Sequence, residues 1–157
     1  MSTSNRVQVL SLIIQQQDIS SYKTKSIEKS ELASSLPHIA LRLLGEELDG
    51  LESDGVITTQ RGGAMFVQPN EIVTVKLTWY GWFEYAPSIL GIGNVEKDIS
   101  MVADYLRGKN RGVVSDELYA ELKLPPLRIC FALDYLEDQD QVASSATHPQ
   151  IFKWIGS

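Results

Sequence analysis

Residues 30–66, SELASSLPHIALRLLGEELDGLESDGVITTQRGGAMF, constrain the fold more than any other part of this chain. Ser30 is placed to cap a short helix by accepting a bond from a free backbone N–H. Glu31, Leu32 and Ala33 open that helix, and Leu36-Pro37 ends it, since proline pushes its predecessor out of the helical region. A longer helix follows, with Leu41, Leu44, Leu48 and Leu51 on one apolar stripe at helical spacing. Asp54-Gly55 stops it, with glycine where a left-handed residue is needed. Two β-prone runs, 56–59 and 64–67, then flank Arg61-Gly62-Gly63, a hairpin signal with a glycine-rich tip.

The second half of the chain repeats this order. Asp116-Glu117-Leu118-Tyr119-Ala120-Glu121-Leu122 echoes Ser30-Glu31-Leu32-Ala33-Ser34-Ser35-Leu36 at an offset of 86 residues. Leu133-Asp134-Tyr135-Leu136-Glu137 echoes Leu48-Asp49-Gly50-Leu51-Glu52 at an offset of 85. Residues 99–106 are expected as the first helix of this copy, and Pro125-Pro126 opens the long one, where proline is tolerated. Residues 142–143 and 151–154 are expected as its hairpin strands. Two copies of a unit with its own apolar stripe make a tandem, not a solenoid.

The first stretch resembles the winged helix family, whose pattern runs from an "ELA" helix through a second helix to "LE.DG.I" and a β-hairpin wing. Glu31, Leu32, Ala33, Leu51, Glu52, Asp54, Gly55 and Ile57 match it, and the second helix begins about one residue late. Leu77-Thr78-Trp79-Tyr80-Gly81 looks like the "LT..G" entry to the extra helix of many winged helix regulators. The second copy departs from the pattern at Gln139-Asp140-Gln141, where "DG" is expected. The resemblance implies an α+β fold of two tandem winged helix-turn-helix domains, each a three-helix unit with a small hairpin wing. Their expected bounds are 1–88 and 95–157, joined by a linker over 87–94 that carries Gly91 and Gly93.

Outside the matched stretches, residues 6–17 are apolar almost all round and continue into a glutamine run of good helix formers, so a helix buried on two sides is expected. Residues 18–29 form a polar connector whose lysines, Lys23, Lys25 and Lys29, read either as a solvated loop or as an arm reaching phosphate. Residues 71–77 alternate as a strand, and Thr78 caps a helix through Tyr85. That helix packs Trp79, Tyr80, Trp82, Phe83 and Tyr85 together, a density that belongs to a core or a protein interface more than to a base-stacking platform.

Chemistry is sparse. His38 and His148 have no neighbour at metal-ligand spacing, and a single cysteine, Cys130, excludes both an internal disulfide framework and a Cys-rich zinc site. Arg61-Gly62-Gly63 lacks the Gly-Lys-Ser/Thr ending of a phosphate loop, and Gly91-Ile92-Gly93 lacks the third glycine of a dinucleotide loop. No enzyme, metal or cofactor is expected. No apolar run approaches the ~20 residues that span a bilayer, and the first residues lack a signal-peptide cleavage site, so a reducing cytoplasm is the expected home.

Two function classes remain. As a transcription-regulator type protein, the first domain would contact DNA through His38, Arg42, Arg61 and the arm of Lys23, Lys25 and Lys29, as the family's recognition helix and wing do. The outward face of the first long helix is expected to be Ile39, Arg42, Glu46, Asp49 and Ser53, which sets carboxylates beside its one arginine. The net charge of −6 also works against a nucleic-acid coat. As a protein-interaction module, the chain would bind through Leu127, Phe131 and Tyr135 on the second long helix, with Trp79, Trp82 and Phe83 adding aromatic surface. Covering that surface calls for a homodimer, a protein partner or the other domain.

Overall fold

The computed structural model describes residues 4–62 and 71–156. Among these the chain is mixed α+β, with seven helices and two antiparallel sheets of three strands each. It divides into two compact units, Met1–Gln17 with Lys25–Gly91, and Asp18–Thr24 with Ile92–Ser157.

The first unit runs α1 (Asn5–Gln15), β1 (Ser26–Glu28), α2 (Lys29–Ser35), α3 (Leu41–Ser53), β2 (Ile57–Arg61), β3 (Ile72–Leu77) and α4 (Trp79–Leu90). Ser4 caps α1 by accepting from Val7 N, and the helix buries Val9, Leu10, Ile13 and Ile14. It packs on α3 and α4. The sheet order is β1-β3-β2, with Ile27 and Thr59 both opposite Val75 on the central strand. Ile27, Val75, Leu44, Leu48 and Leu51 are fully buried, so the leucine stripe of α3 meets an apolar core.

Several local expectations change. Leu41 is 66% exposed, because it starts α3 at the helix mouth, and Ile39 is buried instead. Glu28, not Ser30, sits at the N-cap of α2; β1 runs straight into the helix, which leaves the extended residue at 28. Ser30 is inside the first turn, and its hydroxyl donates to Glu28 Oε2 at 3.3 Å. The connector over 18–29 is not one solvated loop. Its end is β1, and residues 18–24 belong to the second unit. Gln17 closes the neck of that excursion: its side chain accepts from Lys25 N at 2.9 Å and donates to Ile13 O at 3.2 Å. The expected hairpin strand over 64–67 lies outside the described residues, and the strand seen to pair with β2 is β3.

The entry to α4 shows why Thr78 and Gly81 are spaced as they are. Thr78 Oγ1 accepts from Gly81 N at 3.0 Å, and its hydroxyl is 2.7 Å from Gly55 O and 2.9 Å from Val56 O. A Cβ on Gly81 would clash with Val56 O and stand 2.8 Å from Leu77 Cδ1. The helix thereby starts hard against the strand that leaves α3. It runs through Pro87, which lacks the N–H for the Phe83 carbonyl, and ends at Gly91 with φ 64°. The expected linker therefore begins four residues late.

The second unit runs α5 (Val95–Arg107), β4 (Val113–Val114), α6 (Ser115–Leu122), α7 (Pro126–Asp138), β5 (Val142–Ser144) and β6 (Ile151–Trp154), with sheet order β4-β6-β5. Asn94 caps α5 by accepting from Glu96 N at 2.9 Å. Pro126 is the first residue of α7, as expected. The core joins Val102 and Leu106 of α5, Leu118 of α6, and Ile129, Leu133 and Leu136 of α7 to Val142 and Phe152 of the sheet. Asp98 on α5 is buried and takes both arms of the Arg128 guanidinium from α7, each at 2.7 Å. Residues 18–24 pack here too. Leu127 N donates to Ile19 O at 3.4 Å, and the Tyr22 ring meets the Tyr119 ring edge-on at 6.4 Å.

Thus each unit has helix, strand, helix, helix, strand, strand in the same order, with the last strand in the middle of its sheet. The match extends to single bonds. Val56 N donates to Leu51 O and Gln141 N to Leu136 O, both at 2.9 Å. Thr59 donates its hydroxyl to Glu52, and Ser144 donates its own to Glu137.

Candidate functional site

The outward face of α3 and the adjoining β2 carry most of the charged groups singled out by sequence. Arg42 stands on the first turn of α3, and its guanidinium donates to Glu46 at 2.7 Å, one turn along. Its side chain is 77% exposed, so this pair is worth little in water. Arg61 ends β2 and reaches back across α3. Its Nη2 donates to Asp49 at 2.8 Å and to Glu52 at 2.6 Å. The helical spacing of Asp49 and Glu52 puts both carboxylates on one face, and strand β2 brings the guanidinium over them.

The ionisation of this cluster follows its bonds. The Thr59 hydroxyl and then Arg61 hold the Glu52 carboxyl below the usual carboxylate range. Asp49 and Glu52 push the Arg61 guanidinium up. Both shifts keep the ion pairs intact through neutral pH. Arg61 was expected to be a cation offered to phosphate; it is instead already matched by two acids.

Two of the other candidate DNA residues have partners within the first unit. His38 Nε2 lies 2.5 Å from Gln8 Oε1. Lys29 pairs with Glu71 at 3.8 Å. Lys25 belongs to the first unit and Lys23 to the second, so the lysine arm is divided between two bodies.

The apolar candidates are placed differently from expectation. Leu127 and Phe131 are buried within the single chain, at 0% and 2% exposure, and Trp82 is fully buried on α4. Tyr135 is half-buried against the core of the second unit. Trp79 and Phe83 are half-buried, and the Trp79 ring meets Tyr80 edge-on at 6.1 Å. Helical spacing puts Leu127 and Phe131 on an outer face of α7, and in the folded chain buried residues occur on more than one side of that helix.

Sequence reasoning missed the partners of Arg61. The acids at 49 and 52 read as a solvated helix face, and only strand pairing shows that an arginine twelve residues beyond Asp49 returns to them. It also missed a second ion-pair network: Glu117 accepts from the Tyr105 hydroxyl at 2.7 Å and from Arg111 at 2.9 Å. Those two donors hold Glu117 below the usual carboxylate range, while Glu117 and burial push the Tyr105 hydroxyl up to about 12.

Among the described residues, no group of three or more His, Cys, Asp or Glu side chains is arranged to hold a metal ion. No helix among them is long and apolar enough to cross a membrane. Comparison with protein-family models, with curated proteins and with solved structures returns no match.

Proposed function

We propose that both units are winged helix domains and that the chain works as a protein-interaction module rather than as a DNA reader. The order of elements and the central position of the last strand in each sheet support the fold reading. The observation that carries the functional reading is the Arg61 bridge to Asp49 and Glu52. In a winged helix that binds DNA, the recognition helix enters the major groove and the wing offers a cation to the backbone. Here α3 presents Glu46, Asp49 and Glu52 on that side, and Arg61 is neutralised by two of them. Bringing this face to a phosphate backbone would set carboxylates against phosphates and take Arg61 from its partners. Leu41, a large apolar group exposed at the mouth of α3, suits a protein contact better than a groove.

One observation favours DNA instead. The Arg42 guanidinium is strongly exposed on the first turn of α3, where a helix-turn-helix touches base edges. A titration of the full chain with random and mixed-sequence duplexes at two salt concentrations separates the readings. The interaction module predicts no saturable binding at either salt. Binding that weakens with salt, and that Arg42→Ala reduces by ~1–3 kcal/mol in a sequence-dependent way, would replace it with the DNA reading.

A further inference from the structure

Helices α3 and α7 are both 13 residues long and hold the same place in their units, yet their first turns meet different surroundings. In the first unit that turn is open: Leu41 is a large exposed apolar residue and the Arg42 side chain stands in solvent. In the second unit the matching Pro126 and Leu127 are buried. Leu127 N–H is the first donor of α7, because the helix opens on Pro125-Pro126, and no side chain caps it. A buried donor left without a partner is costly. Ile19 O, from segment 18–24, accepts this one at 3.4 Å.

The same segment is anchored again three residues on. The Tyr22 hydroxyl donates to Asp116 on the first turn of α6, and the Tyr22 ring meets Tyr119 edge-on. Burial and then the Asp116 bond push that hydroxyl up to about 12, so it stays a donor at neutral pH. The segment is also shaped by its own turns. Asp18 Oδ1 accepts from Ser20 N at 2.9 Å, Ser21 N donates to Asp18 O at 2.9 Å, and Lys23 N donates to Ser21 Oγ at 3.2 Å. Such turns lower the entropy lost when a segment is held in place. The connection that carries it, residues 16–25 between α1 and β1, is twice as long as its counterpart, residues 108–112 between α5 and β4. The shorter one shows that the extra residues are not needed to join a helix to its strand.

We propose that segment 18–24 is a strap that stabilises the second unit and keeps the first turn of α7 closed, so that of the two equivalent helices only α3 offers this turn to a partner. The strap rests on the correspondence between the units and not on the choice between a protein and a DNA partner. A duplex titration, which reads α3, leaves it untouched.

The test is amide NMR on the full chain. Tyr22→Ala should lower the hydrogen-exchange protection of Leu106, Leu133 and Leu136 on the order of tenfold or more, and leave Leu48 and Leu51 as in the wild type, although residue 22 lies between α1 and β1 of the first unit. An unfolded second unit beside an intact first one would support the strap equally. Tyr22→Phe keeps the ring and removes only the bond to Asp116. It should lose part of the same protection, and it carries the test if the alanine variant does not stay in solution. Closure is read with a soluble gadolinium chelate, which relaxes amides near solvent. In the wild type the Arg42 amide should be relaxed and the Leu127 amide spared, and Tyr22→Ala should expose Leu127. Losses in the first unit, no loss in either unit, a Leu127 amide already open in the wild type, or one that stays closed in Tyr22→Ala would each overturn the proposal.

Discussion

Gly55 and Asp140 occupy the same left-handed backbone position, φ 76° and 56°, at the ends of equivalent helices in the two units. Each stops its long helix and turns the chain into the first strand of the hairpin. Gly55 N donates to Glu52 O and Asp140 N to Glu137 O, both at 3.0 Å. Glycine adopts this conformation freely, whereas a residue with a Cβ is strained there by about 1–2 kcal/mol. Aspartate is among the few that tolerate it.

That difference gives the first prediction. Asp140→Gly should raise the stability of the second unit by about 0.5–1 kcal/mol, the relieved strain less the extra freedom glycine loses on folding. Gly55→Ala should lower that of the first unit by ~1 kcal/mol or more. Urea denaturation followed by amide NMR, which reports each unit separately, measures both. A loss of stability in Asp140→Gly would mean that the aspartate side chain contributes more than its backbone costs.

Acid should weaken the first unit through Glu52. Its folded pKa is depressed by the Thr59 hydroxyl and then by Arg61. A carboxyl of this kind adds stability above its unfolded pKa, and that contribution disappears as pH falls through the folded value. Stability of the first unit should therefore drop as pH goes below the usual carboxylate range. Glu52→Gln should flatten that limb and leave the acid limb of the second unit, where Glu117 is depressed by Tyr105 and Arg111, as it was. Identical pH curves for wild type and variant would rule out this linkage.

The Asp98–Arg128 pair should be costly to break and cheap to replace. Arg128→Met leaves a buried carboxylate, whose side chain is only 3% exposed, without its bidentate donor. A loss of ~3–5 kcal/mol in the second unit is expected. The double change Asp98→Leu with Arg128→Met removes both charges and should recover most of it. If the single and double variants melt alike, the pair contributes through shape and not through charge.

At the start of α4, Gly81→Ala should destabilise the first unit by ~1–3 kcal/mol or more, because its methyl group meets the Val56 carbonyl and Leu77. Ser at position 78 should be tolerated, since it keeps the hydroxyl that caps Gly81. A thermal melt of each variant checks both statements. An unchanged midpoint in Gly81→Ala would show that α4 can shift away from β2 at little cost.

By itself the sequence determined where the main helices lie and where they stop. Helical spacing of Leu44, Leu48 and Leu51, the break at Pro37, the glycine at 55 and the echo near 85 residues later are all local signals, and each corresponds to an element or a turn in the structure. Local signals are legible because backbone geometry depends on neighbours a few residues away. What only tertiary structure decided is which face each side chain meets. Strands β1 and β4 are too short to alternate visibly, and they exist because the central strand of each sheet offers unpaired backbone groups. Leu127 and Phe131 lie on a face that the helical wheel leaves outside, yet they are buried, because α7 is covered on more than one side. Arg61 shows the same for charge. Its sequence neighbours are glycines and a glutamine, and its true partners are two acids that strand β2 brings within 3 Å. Electrostatic partnership depends on distance in space, which falls steeply in importance with separation and has no period in the chain.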